Sequence, residues 1–210
     1  MHGRNVEFSG LPRRGLVAGV LAVAAVGADR AQAQAAGVGH VQSLRGEAFA
    51  QSGRVRRPLA VQAPLYLGDL VLTGADARLR LRLGRRTTLA LGANARLRID
   101  RFALASEAGN YELQAGPLLL EHDENGPSIG STVQSPYALI AVRGTRFFAG
   151  PSNDVFGVFV ATGRVSVQAA GQSVLLDPGE GTNIPRPGAP PSPAAPWGAA
   201  RIQAALASVG

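Results

Sequence analysis

Residues 78–83 read Arg-Leu-Arg-Leu-Arg-Leu, and that strict two-residue period fits one ordinary backbone. In a strand it sends Leu79, Leu81 and Leu83 to one face and Arg78, Arg80 and Arg82 to the other. A helix, turning about 100° per residue, would scatter both kinds around its circumference. A slip of one residue would bury three guanidiniums, so the register of such a strand is firm. Arg96-Leu97-Arg98-Ile99 repeats the pattern. Further short apolar runs occupy Leu70–Thr73, Thr87–Leu91, Pro117–Glu121, Ala138–Val142, Val155–Val160, Arg164–Gln168 and Ser173–Leu176, with glycines between or beside them. No helical period runs through residues 38–184. The pattern predicts an all-β domain with glycine turns, arranged as a sandwich, a barrel or a coiled stack of short antiparallel sheets.

The ends of the chain read differently. Arg4, Arg13 and Arg14 precede a weakly apolar stretch from Gly15 to Ala28, and the small-x-small sites Ala31-Gln32-Ala33 and Ala33-Gln34-Ala35 follow. Residues 1–35 are therefore expected to be a signal peptide that sends the remainder to the periplasm or out of the cell. Arg13-Arg14 ahead of Gly15-Leu16-Val17 resembles a twin-arginine export motif, the alternative being a general secretory signal. The apolar stretch is too short to span a bilayer core of ~30 Å at ~1.5 Å per helical residue, and the mature chain offers no transmembrane helix. The expected β domain covers 38–184. A Pro-rich linker follows over 185–197, then a short helix over 198–210 with Ile202, Leu206 and Val209 on one face. Trp197, the only tryptophan, either docks with that face as a cap or serves a partner-binding tail.

Several chemistries are excluded by residue type. The chain has no cysteine, so disulfides and thiolate sites are absent. All 21 basic residues are arginine, which removes every lysine-dependent mechanism. Gly126-Pro127-Ser128-Ile129-Gly130 matches the spacing of a hydrolase nucleophile elbow, but no histidine follows it and strand-like sequence replaces the required helix. Glu121-His122-Asp123-Glu124-Asn125 is the one acidic cluster. It leads into a turn and reads as solvated rather than metal-binding. His40, alone beside a strand, reads as structural. No cofactor is expected. The row Arg78, Arg80, Arg82, extended toward Arg85 and Arg86, is the candidate interaction surface, able to attract phosphate or carboxylate. Its bland alternative is a solvated strand face that also discourages edge pairing. The net charge of +7 favours anionic partners in general. Nucleic acid is not expected, because export separates the chain from it and few aromatics lie near the basic row.

Four segments together resemble the FecR domain family. They are Gly68-Asp69-Leu70-Val71-Leu72-Thr73-Gly74; the alternating run that ends at Gly84 and resumes at Thr87–Leu91; Ser135-Pro136-Tyr137-Ala138 leading to Val142-Arg143-Gly144-Thr145-Arg146-Phe147; and Gly163-Arg164-Val165-Ser166-Val167 followed by Leu176-Asp177-Pro178-Gly179-Glu180. The resemblance implies a periplasmic sensory or binding domain that is not an enzyme and whose motif residues Gly68, Asp69, Thr73, Gly74, Arg143, Gly144 and Thr145 are scaffold. Gly144 is expected at a bulge or tight turn, with Arg143 bonding nearby carbonyls. Known members of the family pass a signal through one membrane helix to a cytoplasmic region. Only about fourteen residues precede the apolar stretch here, so the extracytoplasmic module is what carries over. The expected partner is an envelope protein, in signalling or envelope organisation. An anionic glycan or cell-wall polymer bound on the arginine face is the rival. Oligomeric state is not written in the sequence.

Overall fold

The computed structural model of the protein describes residues 37–122 and 130–210. The expected signal peptide, the acidic residues Asp123 and Glu124, and the serine of the hydrolase-like motif lie outside the described residues.

The chain winds between two walls of one curled sheet. It begins with β1 (Gly39–Arg45) in one wall, crosses for β2 (Ala48–Ser52) and β3 (Val55–Pro58), and returns for β4 (Pro64–Leu65). It crosses again for β5 (Leu70–Thr73), returns for the hairpin β6 (Arg78–Leu83) and β7 (Thr87–Leu91), and crosses for the hairpin β8 (Arg96–Ala103) and β9 (Ala108–Ala115). Strand β10 (Leu118–His122) lies in the first wall and β11 (Gly130–Gln134) in the second. A long hairpin, β12 (Leu139–Ser152) and β13 (Val155–Ala169), then runs through both. Strand β14 (Gln172–Leu176) completes the second wall; β15 (Glu180–Ile184) and β16 (Ala195–Pro196) complete the first. Helix α1 (Ala199–Ala207) covers the outside of the first wall, called the capped wall below; the other is the open wall.

The hydrogen-bond ladder follows this winding. The open wall runs β3-β2-β5-β8-β9-β11 to the Leu139–Arg143 half of β12, then the Arg164–Ala169 half of β13 and β14. The capped wall runs β4-β1-β6-β7-β10 to the Arg146–Ala149 part of β12, then the Phe156–Phe159 part of β13, β15 and β16. Pairing is antiparallel except between β9 and β11. The chain makes a full turn through β10 before re-entering the open wall, so β11 arrives in the direction of β9.

The inner faces of both walls meet in a single core. Leu79, Leu81 and Leu83 of β6 are buried there, as their alternation requires. They join Leu97 and Ile99 of β8, Val133 of β11, Ile140 and Phe147 of β12, and Val158, Val165 and Val167 of β13. Where the long hairpin passes from wall to wall, its register breaks between Arg143 and Arg146. Gly144 sits at that bulge with φ +56°, the left-handed region that favours glycine. Gly163 faces it so closely that a Cβ would come within 2.5 Å of the Gly144 carbonyl oxygen. Gly144 therefore lets a strand cross between walls, because the bulge bends its strand, and a side chain on Gly163 opposite would push the two backbones apart.

Candidate interaction surface

The motif residues at Gly68–Gly74 are consumed inside the domain. Asp69 is fully buried, accepts the Tyr66 backbone N–H at 2.9 Å and pairs with Arg57. The Gly68 N–H donates to the Ile99 carbonyl at 2.7 Å, fixing the turn to β8. At the other end of β5, the Thr73 hydroxyl donates to the Gly92 carbonyl at 2.6 Å and accepts the Ala95 N–H at 2.7 Å. Gly74 donates to the Glu47 carbonyl and accepts from Asn94. Three crossings between the walls are thereby tied together by one Thr-Gly pair. Thr145 is likewise buried beside the bulge. Arg143 departs from its expected role: its side chain is exposed and bonds no neighbouring carbonyl among the described residues. At a bulge its direction is set by the strand face rather than by the turn, and that face is open.

The arginines of β6 lie on the outer face of the capped wall, half-buried rather than fully exposed. Arg82 Nη1 donates to Thr88 Oγ1 at 2.9 Å, and Arg78 Nη1 to the Ala77 carbonyl at 2.9 Å. Arg80 comes within 3.8 Å of Glu121, whose other oxygen holds Arg146 Nε at 2.8 Å. Arg78 lies opposite Arg45 of β1 in the ladder. Arg85 and Arg86 do not continue the row. They form the β6–β7 turn, where their backbone N–H groups donate to the carboxylate of Glu107 at 2.8 and 2.7 Å.

Glu107 is the residue that sequence reasoning missed. It is buried in the β8–β9 turn with φ +58° and bridges that turn to the β6–β7 turn of the other wall. Nothing in the run Ala-Ser-Glu-Ala distinguishes it from a solvated turn acid. Burial, and then the nearby Glu107 charge, push the Tyr111 hydroxyl well above the ordinary tyrosine range. Of the acidic run, Glu121 and His122 are described. Glu121 turns outward to Arg146, while His122 Nδ1 lies 3.1 Å from Thr87 Oγ1, so the two do not converge on one point. His40 is half-buried in β1 between Pro64 and Arg82.

Trp197 docks rather than projecting. Its indole stacks on Phe159 at 5.3 Å and tilts against Phe148 at 6.4 Å. It fills a notch left by two glycines, since a Cβ on Gly181 or Gly157 would meet the ring at 2.3 or 2.7 Å. Arg201 of α1 closes over the ring at 3.6 Å and donates to Ser152 Oγ and Asn183 Oδ1 at 2.9 and 2.7 Å. Burial pulls the Arg201 guanidinium below its usual pKa. Ile202, Leu206 and Val209 pack on the same outer cluster.

The clefts among the described residues differ in charge, and one of about 320 Å³ on the capped wall gathers Arg45, Arg78 and Arg80. One of about 370 Å³, beside the stacked Tyr137–Phe156 pair, has Asp154 as its one charged side chain. A shallower one of about 750 Å³ on the open wall holds Arg143, Arg164 and Asp177. No cluster of three or more His, Asp or Glu side chains suited to a metal is present among the described residues. No helix among them is long and apolar enough to cross a membrane.

Comparison with known proteins fits this architecture. No curated protein matches the chain. Two crystal structures of a candidate anti-sigma factor from Parabacteroides distasonis share the fold, with TM-scores of 0.53 and 0.52 and 17% identity in each case. The likeness covers 65% of this chain and 63% and 64% of those chains, so the protein spans less than two thirds of their length. At that identity the likeness establishes the fold alone. Residues 69–166, from the buried aspartate of the first motif to the second half of the long hairpin, match the family described as FecR protein. Over those residues the chain is similar to the FecR family.

Proposed function

We propose that this protein is an exported, non-enzymatic binding module of the cell envelope, working in signalling by engaging another protein. On this reading residues 1–35 direct export, 38–184 form the binding domain, and the segment from 185 onward closes it. The observation that carries the proposal is the distribution of polar groups. Buried Asp69, Thr73, Glu107 and Thr182 are each spent on internal contacts. The uncommitted charges lie on open sheet faces and not in an enclosed pocket with convergent acids, bases or nucleophiles. The FecR match and the anti-sigma-factor-like fold support a regulatory role in the same direction.

A second reading has its own observation. Arg45 opposite Arg78, with Arg80 and Arg146 sharing the single carboxylate of Glu121, makes a basic strip suited to an anionic glycan. Affinity capture of envelope material on the full chain separates the two. Retained material that crosslinks as protein and survives glycan hydrolysis supports the first. Retention that is lost with salt, with glycan hydrolysis and with the Arg78→Gln, Arg80→Gln, Arg82→Gln triple variant replaces it with the second.

A further inference from the structure

Arg143 and Arg164 are direct partners across β12 and β13, so both side chains leave the same face of the open wall. Two guanidiniums so placed repel one another unless an anion lies between them. Asp177 answers one of them, accepting from Arg164 Nε at 2.7 Å. Arg143 is left without a hydrogen bond or ion pair among the described residues. Among the described residues the cleft therefore sets two cations against one carboxylate. In the next row of the ladder Ala141 faces Ser166 and Ser166 faces Leu175. These small side chains form a shelf that ends in a leucine 54% exposed to solvent. Gly130, Gly163 and Pro178 line the rest of the cleft.

We propose that this cleft docks an acidic segment of a partner protein in extended form, with a carboxylate between Arg143 and Arg164 and the apolar side chain two residues along on the Ala141–Ser166–Leu175 shelf. The proposal rests on the protein-binding role argued above and names its site and partner chemistry. Arginine presents a planar fork that matches a carboxylate in two parallel hydrogen bonds, and no described residue engages the fork of Arg143. The shelf is what favours a protein segment over a bare anion. A free phosphate would use the guanidiniums and leave exposed Leu175 unexplained, whereas an extended segment with an acidic residue and an apolar residue two positions along, both on one face, uses both.

The test is a titration of the full chain, labelled with nitrogen-15, against three probes: the peptide Leu-Ser-Glu-Ser-Leu with blocked ends, which carries its acidic and apolar side chains on one face, its Leu-Ser-Gln-Ser-Leu counterpart, and inorganic phosphate. The Glu peptide should shift the Nε–H signals of Arg143 and Arg164 together with the Leu175 amide, and should bind about tenfold more tightly than the Gln peptide. Arg143→Gln should abolish that preference, and Arg143→Lys should retain part of it, both with an unchanged melting temperature. Equal binding of the two peptides overturns the proposal, as does undiminished binding to Arg143→Gln. Phosphate that reproduces the shifts, with the peptide binding no more tightly, also overturns it and leaves a simple anion site. An envelope protein captured equally by wild type and Arg143→Gln would leave the protein-binding role standing and remove this site alone.

Discussion

Phe147 and Phe148 are consecutive on β12 and both are fully buried, yet they belong to different pieces of packing. Phe147 points into the core enclosed by the two walls, among leucines and valines from nearly every strand. Phe148 points outward to a cluster with Ala90, Leu119 and Phe159, and that cluster is closed by Trp197, Ala205 and Val209. The first environment is closed by the sheet itself and cannot open without unfolding. The second is closed by a short C-terminal segment that could lift off while the sheet persists. Equal burial thus conceals unequal cooperativity: a buried side chain is held as firmly as the least stable element that covers it.

Truncating each phenylalanine is the sharpest way to break that comparison. Phe147→Ala should cost about 4 kcal/mol and shift the whole unfolding transition, since the cavity lies between two walls that cannot both collapse. Phe148→Ala should cost less, about 3 kcal/mol, because Trp197 and α1 can settle into part of the space. Denaturant titrations of both variants check the order. An equal or reversed ranking would mean the cap is as rigid as the sheet.

Trp197→Ala follows, at about 2 kcal/mol, less than a typical buried tryptophan, because the loss cannot exceed what docking of the cap contributes. Amide exchange should rise across Ala199–Ala207 while the central residues of β12 and β13 stay protected. Parallel loss of protection in both would show one cooperative unit and remove the distinction between the clusters.

The inner core was the part most legible in the sequence, and for a physical reason. A strand with one wet face must alternate, and β6 does, as does the start of β8. Leu70–Thr73 and Thr87–Leu91 occupy the runs read for them. Strand β10 falls on the run read over Pro117–Glu121, but its facing was hidden because its first three residues are covered on both sides. Leu118, Leu119 and Leu120 carry no alternation: Leu118 and Leu120 face the inner core and Leu119 faces the cap. The long hairpin was read as separate short strands because Gly144 and Gly163 look like breaks, whereas they form a bulge inside two continuous strands. Glu107 and the exposed side chain of Arg143 could not be read at all. Each depends on which distant turn or face the winding brings near, and no local pattern encodes that.

A polar group inside the closed core should behave oppositely to one outside it. Tyr111 is buried there, and its hydroxyl has no hydrogen-bond partner among the described residues. Tyr111→Phe should therefore stabilise the fold by about 1 kcal/mol, since it removes an unsatisfied polar atom at nearly constant shape. The pH dependence gives a second readout. Burial and Glu107 raise the folded-state pKa above the ordinary value of 10.0. The contribution of the neutral hydroxyl is then fully present below about pH 10 and is lost as pH rises from there toward the folded value. The wild type should lose stability relative to Tyr111→Phe only in that alkaline window. A constant difference across it would mean the hydroxyl finds a partner.

The smallest effect is expected on the outside of the capped wall. The triple variant Arg78→Gln, Arg80→Gln, Arg82→Gln should stay within about 1 kcal/mol of the wild type, the ordinary range for surface sites. Each arginine has contacts, but they oppose one another. Arg80 gains a 3.8 Å approach to Glu121, yet its side chain is 41% exposed and that carboxylate is already held by Arg146. An exposed pair of this kind contributes little after solvent screening. Arg78 faces Arg45 across the ladder, a like-charge contact that glutamine relieves. Arg82 keeps one hydrogen bond to Thr88, which the shorter glutamine amide replaces with water. The leucines that fix the register are untouched, so the strand has no reason to slip. Because charges on this face are screened within about 8–10 Å at ordinary ionic strength, any difference should shrink further as salt is added. Thermal melts at low and high salt measure this. A loss above about 2 kcal/mol that salt does not diminish would place the row among the interactions that hold the wall, and the boundary between structural and available surface would then have to be drawn outside β6.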